Sequence, residues 1–306
     1  MDKSLGTVGV IGLGQMGRPM ARALMRAGWQ AVVWDLAATA ADQLGSEGAI
    51  VAHNPAHVAQ QASVVITSLP GIDAVRAVAF GDESLTSHRG RPKLLVDMST
   101  TTPAGARALA ADLAPFGVAF LDAPVSGGTT GAAAGTLTVM VGGAVEDLDR
   151  ARPVLDSLAR LVVHCGPAGA GQVAKACNQL IVMTALGAVA EALVLARSAG
   201  LDPAVVRQAL MDGYAASPIL EIQGDRMLRR DFAPGGKAAY NLKDIATIRE
   251  MASGAELDLP VFEASAQQML RLINEGGADL DNAAVITVVE RAAGGRNPDR
   301  ERPDDE

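Results

Sequence analysis

The stretch "VGVIGLGQMGRPMARALMRAG", Val8 to Gly28, decides the fold. An apolar run ends in Gly12-Leu13-Gly14-Gln15-Met16-Gly17, and a helical pattern follows. Glycines at G-x-G-x-x-G spacing mean little alone; between a strand and a helix they acquire a shared purpose. Gly12 permits a tight turn, Gly14 lets the backbone approach a pyrophosphate, and Gly17 lets helix and strand pack closely. The helix start then offers unpaired N–H groups and the positive end of its dipole to phosphates. Gly12 to Gly17 therefore read as a dinucleotide-binding turn.

The next strand supports that reading. In "VVWDLAATAADQL", Val32 to Leu44, Asp35 stands where a carboxylate accepts hydrogen bonds from an adenosine ribose. It would repel a 2′-phosphate. No Arg, Ser or Thr immediately follows it, the nearest hydroxyl is Thr39, and the nearest arginines are distant in sequence. The cofactor expected is NAD rather than NADP. The competing reading of Asp35 is a cap on the following helix.

Working outward, the first half alternates apolar β-rich runs with Ala-rich helical stretches. Strands are predicted at "TVGVI" (from Thr7), "AVVW" (Ala31), "SVVITSL" (Ser63), "KLLVDMS" (Lys93), "VAFLDAPV" (Val118), "TLTVMVG" (Thr136) and "LVVHC" (Leu161). The early runs are continuously apolar, as in strands buried on both faces of a parallel sheet. Helices such as 15–27 and 103–113 lie between them, which implies βαβ units. After Cys165 the pattern is helical, at about 170–199, 203–211, 219–229, 242–253 and 260–275. The fold expected is an α/β Rossmann domain, doubly wound and mostly parallel, over residues 1–165. An all-α domain follows over 166–292. The charged, proline-bearing tail 293–306 is expected to be disordered.

Composition removes several classes. The chain has 306 residues, 49% of them hydrophobic but only 3% aromatic, so its core is built from Ala, Val, Leu, Ile and Met. A net charge of -8 with scattered basic residues argues against a nucleic-acid partner. Cys165 and Cys177 have no metal-ligand spacing and read as two buried thiols in a reducing compartment. His53, His57, His88 and His164 form no metal pattern and read as surface residues; no metal site is expected. The start "TVGVIGLG" is glycine-broken and too short for a signal core. The run near Leu180 offers about a dozen apolar residues against the ~20 that span a membrane. The expected setting is cytoplasmic, without a membrane or nucleic-acid partner.

One charge stands out. Between Leu161 and Ala190 the only charged residue is Lys175. Either it snorkels to water or it is held for chemistry. Hydride transfer at a hydroxyl carbon needs a proton acceptor or donor at the oxygen, and a lysine desolvated in a domain cleft can serve. Asn178 and Gln179 follow at helical spacing on its face. "FLDAPVSGGTTGAAAGTLTVMVGG", Phe120 to Gly143, places a loop at Ser126-Gly127-Gly128 whose bare N–H groups suit a carboxylate.

Four segments, "GLGQMG", "DAPVSGG", "GAGQVAKACNQ" and "NLKD", occur in the order and spacing of the β-hydroxyacid dehydrogenase family. The chain resembles that family, with its 3-hydroxyisobutyrate dehydrogenase and tartronate semialdehyde reductase branches, up to about Arg291. The resemblance implies a Rossmann domain, an all-α domain built on a long interdomain helix, and dimers or tetramers. It implies NAD(P)-dependent interconversion of a small 3-hydroxy acid and its semialdehyde or keto acid. By position, Lys175 matches the general acid/base and Asn178 a residue that places the substrate. Ser126, Gly127 and Gly128 match the substrate-carboxylate loop. Leu69, Pro70 and Thr100 match positions lining the nicotinamide half of the cofactor, and Lys243 a lysine that closes over it. Some relatives carry a second asparagine where this chain has Gln179. Imine reductases share the architecture but usually replace the lysine, and a non-catalytic dinucleotide-binding relative would be expected to lose it.

Overall fold

The computed structural model describes residues 5–87, 90 and 92–294. His88 and most of the predicted disordered tail, from residue 295 on, lie outside the described residues. The chain divides into two compact units, Met1–Lys175 and Ala176–Glu306.

The first unit opens with β1 (Gly6–Ile11), α1 (Gly17–Arg26), β2 (Trp29–Trp34), α2 (Ala38–Ser46), β3 (Ile50–Val51), α3 (Pro55–Gln61), β4 (Val64–Thr67) and α4 (Ile72–Phe80). It continues with β5 (Leu94–Asp97), α5 (Pro103–Leu113), β6 (Ala119–Asp122), β7 (Val125–Ser126), α6 (Gly128–Ala134), β8 (Leu137–Gly142), α7 (Val145–Leu155) and β9 (Ala159–Gly166). The sheet order is β3-β2-β1-β4-β5-β6-β8-β7, with β9 on the other edge of β8. The first six strands pair in parallel; β8 runs antiparallel to β6 and β7 and parallel to β9. The order 3-2-1-4-5-6 is that of the doubly wound dinucleotide fold, and its direction reverses between β1 and β4.

Continuous apolar strands form because both sheet faces are covered. Val8, Val10, Val33, Ile66, Val96 and Leu121 belong to one core. Their alternates Ile11, Val32, Val65, Leu95 and Phe120 belong to the other. Gly9 makes room for α3: a Cβ there would lie 2.4 Å from the Val58 side chain. Two strands depart from the prediction. The two-residue β3 is too short to carry a periodic signal. The run from Val118 breaks into β6 and β7 around Ala123-Pro124, where proline has no N–H to donate to a ladder.

The second unit is helical, as predicted. It comprises most of α8 (Ala170–Ser198), then α9 (Pro203–Leu210), α10 (Gly224–Arg229), α11 (Asn241–Gly254), α12 (Pro260–Leu272) and α13 (Ile286–Ala292). A π-helical turn, Ile219–Gln223, leads into α10, and another, Ile273–Gly277, follows α12. Met183, Leu186, Ala190 and Leu193 of α8 share one core with Phe262, Met269 and Ile286. The division after Lys175 falls ten residues beyond the boundary read from sequence, because the first turns of α8 are hydrogen-bonded to the sheet.

Two readings are corrected. With 29 residues and a window of mean hydropathy 2.0, α8 is long and apolar enough to cross a membrane, so the dozen apolar residues counted from sequence fell short. Its alanines and glycines extend the apolar run. A core helix meets the same test, and α8 shares a core with the other helices. Neither cysteine is buried: Cys165 is half-buried and Cys177 exposed, both free. Cys177 lies on an exposed face of α8, two residues after Lys175.

Candidate active site

The site grows from the carboxyl ends of β1, β4, β5 and β6, where doubly wound sheets bind ligands. Gly12 follows β1 at φ +90, a backbone setting that side chains rarely adopt. A Cβ at Gly12 would lie 2.3 Å from the Ser68 carbonyl, and one at Gly17 would lie 1.8 Å from the Gly12 carbonyl. Gly14, by contrast, is exposed with open space above it. No side chain caps the N-terminus of α1. Packing thus demands glycine at 12 and 17, while Gly14 leaves backbone and helix terminus open to an anion.

Asp35 sits at the end of β2, and both its carboxylate oxygens are engaged. Leu13 N–H donates to Oδ2 (2.6 Å) and Ala37 N–H to Oδ1 (2.8 Å). The carboxylate therefore ties the glycine turn to β2 and also holds the turn into α2. The helix-cap reading of Asp35 is not met, since the N-cap of α2 is Ala37 and no side chain caps it; each Asp35 oxygen keeps a further lone pair. Arg18 and Arg22 of α1, near in sequence to the glycine turn but not to Asp35, reach across to α2 and its C-cap. Arg18 donates to Gln43 (3.1 Å), and Arg22 forks onto Glu47 (2.7 and 2.5 Å), holding that carboxyl below its usual range.

The loops after β4 and β5, which carry Leu69, Pro70 and Thr100, are joined by a hydrogen bond. Leu69 N–H donates to Ser99 Oγ (2.9 Å), linking the ends of β4 and β5. Leu69 is half-buried, Pro70 exposed and Thr100 half-buried. Gln172, in the first turn of α8, spans the next gap. Its Nε2 donates to the Ser99 carbonyl (2.9 Å), and its Oε1 accepts from Thr101 N–H (2.9 Å). Thr100 lies between these anchors. Lys175 follows one turn later and is only 9% exposed.

Asp122, at the end of β6, fastens the same turn. Oδ1 accepts from Gly169 N–H (2.7 Å) and Oδ2 from Gln172 N–H (2.9 Å). It thus satisfies N–H groups that the helix start leaves open. Gly171 permits the close approach: a Cβ there would lie 2.3 Å from the Met140 carbonyl of β8. Met140 in turn donates to the Pro124 carbonyl (3.0 Å), two residues before Ser126. Ser126 pairs with Thr138, and Gly127 (φ +130) and Gly128 (φ +60) open α6 in conformations that favour glycine.

Beneath this joint lie two carboxyl groups on neighbouring strands, Asp97 opposite Asp122 in register. Burial is the main force on both. It pushes Asp97 up to about 6, although Ser99 and Thr67 hydrogen bonds oppose it and the Asp122 charge assists. It also raises Asp122, against the N–H bonds from Gly169 and Gln172. Asp97 Oδ1 accepts from Thr67 Oγ1 (2.8 Å) and Ser99 N–H (3.1 Å), whereas buried Oδ2 has no hydrogen-bond partner.

In the second unit, Asn178 Nδ2 donates to Gln179 Oε1 (3.0 Å), and Gln179 Nε2 donates to Asp244 Oδ2 (2.5 Å). Asp244 is buried, while its neighbour Lys243 is exposed on α11. The histidines form a surface pair: His53 and His57 rings stack at 4.9 Å. Among the described residues, no group of three His, Cys, Asp or Glu could hold a metal.

Gln172, Asp97, Asp122 and Asp244 were not singled out in the sequence. Three of them lie inside the quoted segments, Asp122 in "DAPVSGG", Gln172 in "GAGQVAKACNQ" and Asp244 in "NLKD". Gln172 had a usable signal, a polar side chain one helical turn before Lys175 on the same face.

Comparison with known proteins settles the family. Residues 7–166 match the model of the NAD binding domain of 6-phosphogluconate dehydrogenase. Residues 169–289 match that for the NAD-binding domain of NADP-dependent 3-hydroxyisobutyrate dehydrogenase. The chain is 38% identical to 2-hydroxy-3-oxopropionate reductase of Escherichia coli, over 94% of this chain and 98% of that one. The chain belongs to the β-hydroxyacid dehydrogenase family. It is 36% identical to an NAD-dependent L-serine dehydrogenase of Pseudomonas aeruginosa, over 91% and 96% of the two chains. Among solved structures, a Mycobacterium tuberculosis 3-hydroxyisobutyrate dehydrogenase with L-serine aligns at a TM-score of 0.83. That match has 34% identity and covers 93% of this chain and 99% of the other. An imine reductase from Myxococcus stipitatus, 17% identical at a TM-score of 0.63, shares the fold alone. As a family member the chain is an NAD-dependent oxidoreductase of the hydroxyacid dehydrogenase type.

The buried acid pair predicts a pH signature. Because the folded pKa of Asp97 is raised, the protonated form favours the native state. That contribution is complete below about pH 4 and is lost as pH rises through about 6. The full swing is on the order of 3 kcal/mol. Urea unfolding across this range should show Asp97→Asn losing less stability with rising pH than the parent. Parallel curves for the two proteins would contradict the assignment.

Proposed function

We propose that the protein interconverts a small 3-hydroxy acid and its semialdehyde or keto acid, with Lys175 as the general acid/base. The observation that carries this reading is the unbroken set of contacts from the glycine turn to the lysine. Gly12 packs on Ser68, Leu69 bonds Ser99, Ser99 bonds Gln172, and Lys175 follows one turn later. A buried lysine so tied to a cofactor turn is better explained by chemistry than by snorkelling.

The bound dinucleotide supplies the hydride acceptor for oxidation and the donor for reduction. Gly14 and the start of α1 would receive its pyrophosphate, Asp35 its adenosine ribose, and Leu69, Pro70 and Thr100 its nicotinamide side. Lys175, as the neutral amine, takes the proton from the substrate hydroxyl during oxidation; as the ammonium, it returns it to the carbonyl oxygen during reduction. Ser126 Oγ and the N–H groups of Gly127 and Gly128 hold the substrate carboxylate, the latter at the open first turn of α6. Asn178 orients the substrate, and Lys243 closes over the cofactor.

3-Hydroxyisobutyrate, glycerate with tartronate semialdehyde, serine and threonate-like acids fit this chemistry. The relatives named for L-serine and 2-hydroxy-3-oxopropionate support that range. The same reading takes NAD before NADP, a homodimer or homotetramer, and a cytoplasmic setting. Exposed apolar side chains in the helical unit, including Ile181, Leu195, Val205 and Ile222, support association.

Lys175→Ala should lower turnover by ~10²–10⁴-fold, the usual contribution of a general acid/base group. NADH binding, followed by fluorescence titration, should change little. Turnover near the parent value would remove the mechanism.

Cofactor choice is tested at Asp35. Asp35→Ser with Leu36→Arg should shift kcat/KM toward NADP, since a repulsive carboxylate gives way to a guanidinium that welcomes phosphate. A parent enzyme already more efficient with NADP would refute the preference.

Carboxylate recognition is tested at Ser126. A hydrogen bond to a charged group contributes ~1.5–3 kcal/mol, so Ser126→Ala should lower kcat/KM by roughly one to two orders of magnitude. The methyl ester of each 3-hydroxy acid should be a poor substrate beside the acid. Equal efficiency for acid and ester would mean that no carboxylate is read.

A further inference from the structure

Gln172 has an unusual position for a neutral side chain. It is 1% exposed, and its donor, its acceptor and its own backbone N–H are all committed. The side chain bonds the loop after β5 on both sides of Thr100; the backbone N–H bonds Asp122 at the end of β6. An amide can satisfy this pair only one way round: reversed, it would set N–H against Thr101 N–H and oxygen against the Ser99 carbonyl. The fork therefore fixes rotation as well as distance. A helix turns about 100° and rises about 1.5 Å per residue, so a small rotation of α8 would swing every later side chain off its line. Gly171 lets this turn pack closely on β8, since a Cβ there would lie 2.3 Å from the Met140 carbonyl.

We propose that Gln172 is the positioning residue that sets Lys175 against the cofactor-binding loop at Thr100. It touches neither substrate nor cofactor. It acts by keying the rotation of α8 to the ends of β5 and β6. The inference rests on Lys175 being the acid/base, and it adds that the rate depends on a neutral amide one turn earlier.

Two variants test it. Gln172→Met matches the length but has no donor and only a weak thioether acceptor. It should lower kcat by ~10–100-fold, in line with the cost of a misplacement near 1 Å. KM and NADH affinity should stay within about three-fold. Gln172→Glu gives the conservative rescue. A protonated carboxyl can accept from Thr101 N–H and donate to the Ser99 carbonyl, whereas a carboxylate cannot donate. Asp122, bonded to the Gln172 N–H, and Asp97 on the next strand set that titration together with Lys175 one turn on and Arg107, whose guanidinium lies beside Gly169; burial beside the two acids favours the protonated form. Turnover of Gln172→Glu, relative to the parent at each pH, should therefore recover as pH falls.

Unchanged kcat in Gln172→Met, or a Gln172→Glu profile superimposable on the parent's, would overturn the proposal. If Gln172→Met does not fold, the Gln172→Glu profile decides. The double variant with Lys175→Ala separates the two readings. Normal turnover in Lys175→Ala alone removes the lysine mechanism. A dead Lys175→Ala beside a normal Gln172→Met removes only the positioning role. If Gln172 works through Lys175, adding Gln172→Met to Lys175→Ala should cost nothing more; a further loss of the same size would show an independent effect and overturn it.

Discussion

The fastening of the α8 N-terminus to the sheet is the constraint on which the site depends. Asp122 accepts N–H groups from Gly169 and Gln172, and the Gln172 side chain bonds both flanks of Thr100. A 29-residue helix is long enough that its beginning and end belong to different units. What holds its beginning decides where Lys175 lies with respect to the nucleotide-binding sheet. Polar bonds suit that task better than apolar packing, because a hydrogen-bonded fork specifies direction while dispersion contacts tolerate rotation.

This fastening carries an energetic cost. Two carboxyl groups lie buried on adjacent strands, and one oxygen of Asp97 has no partner. Stability alone would not select such an arrangement, since a buried polar group without a partner is costly. Its location under the loop that carries Thr100 fits a site in which order is maintained against that cost. The same holds for the glycines. Gly12 and Gly17 are needed because the chain passes within contact distance of its own carbonyls, whereas Gly14 has open space above it and no such packing demand.

The helical unit holds a second polar relay. Asp244 receives the Gln179 amide, and Gln179 receives that of Asn178. At the position where some relatives carry a second asparagine, this chain has a side chain one methylene longer. That added length reaches a buried carboxylate, so the departure from the family pattern has a structural partner. Each unit thus has an amide bonded to fixed neighbours, Gln172 on the sheet and Gln179 within the helical unit.

Much of the architecture was legible in the sequence because it rests on local periodicity. Doubly covered strands must be continuously apolar, and a glycine turn between strand and helix carries its own steric logic. Those rules delivered the Rossmann unit, the helical unit, the turn at Gly12 to Gly17 and the suspicion attached to Lys175. The two-residue β3, the break at Pro124 and the ten-residue shift of the division between units were not legible, since each depends on pairing across the fold. Asp97 and Asp122 stand 25 residues apart in the chain and face each other only because β5 and β6 are neighbours. Gln172 reads as an ordinary polar helix residue until the loops after β5 and β6 surround it. Residue types and their spacing determined the chemistry available; which polar groups meet, and which are left without water, was decided only when the strands took their order in the sheet.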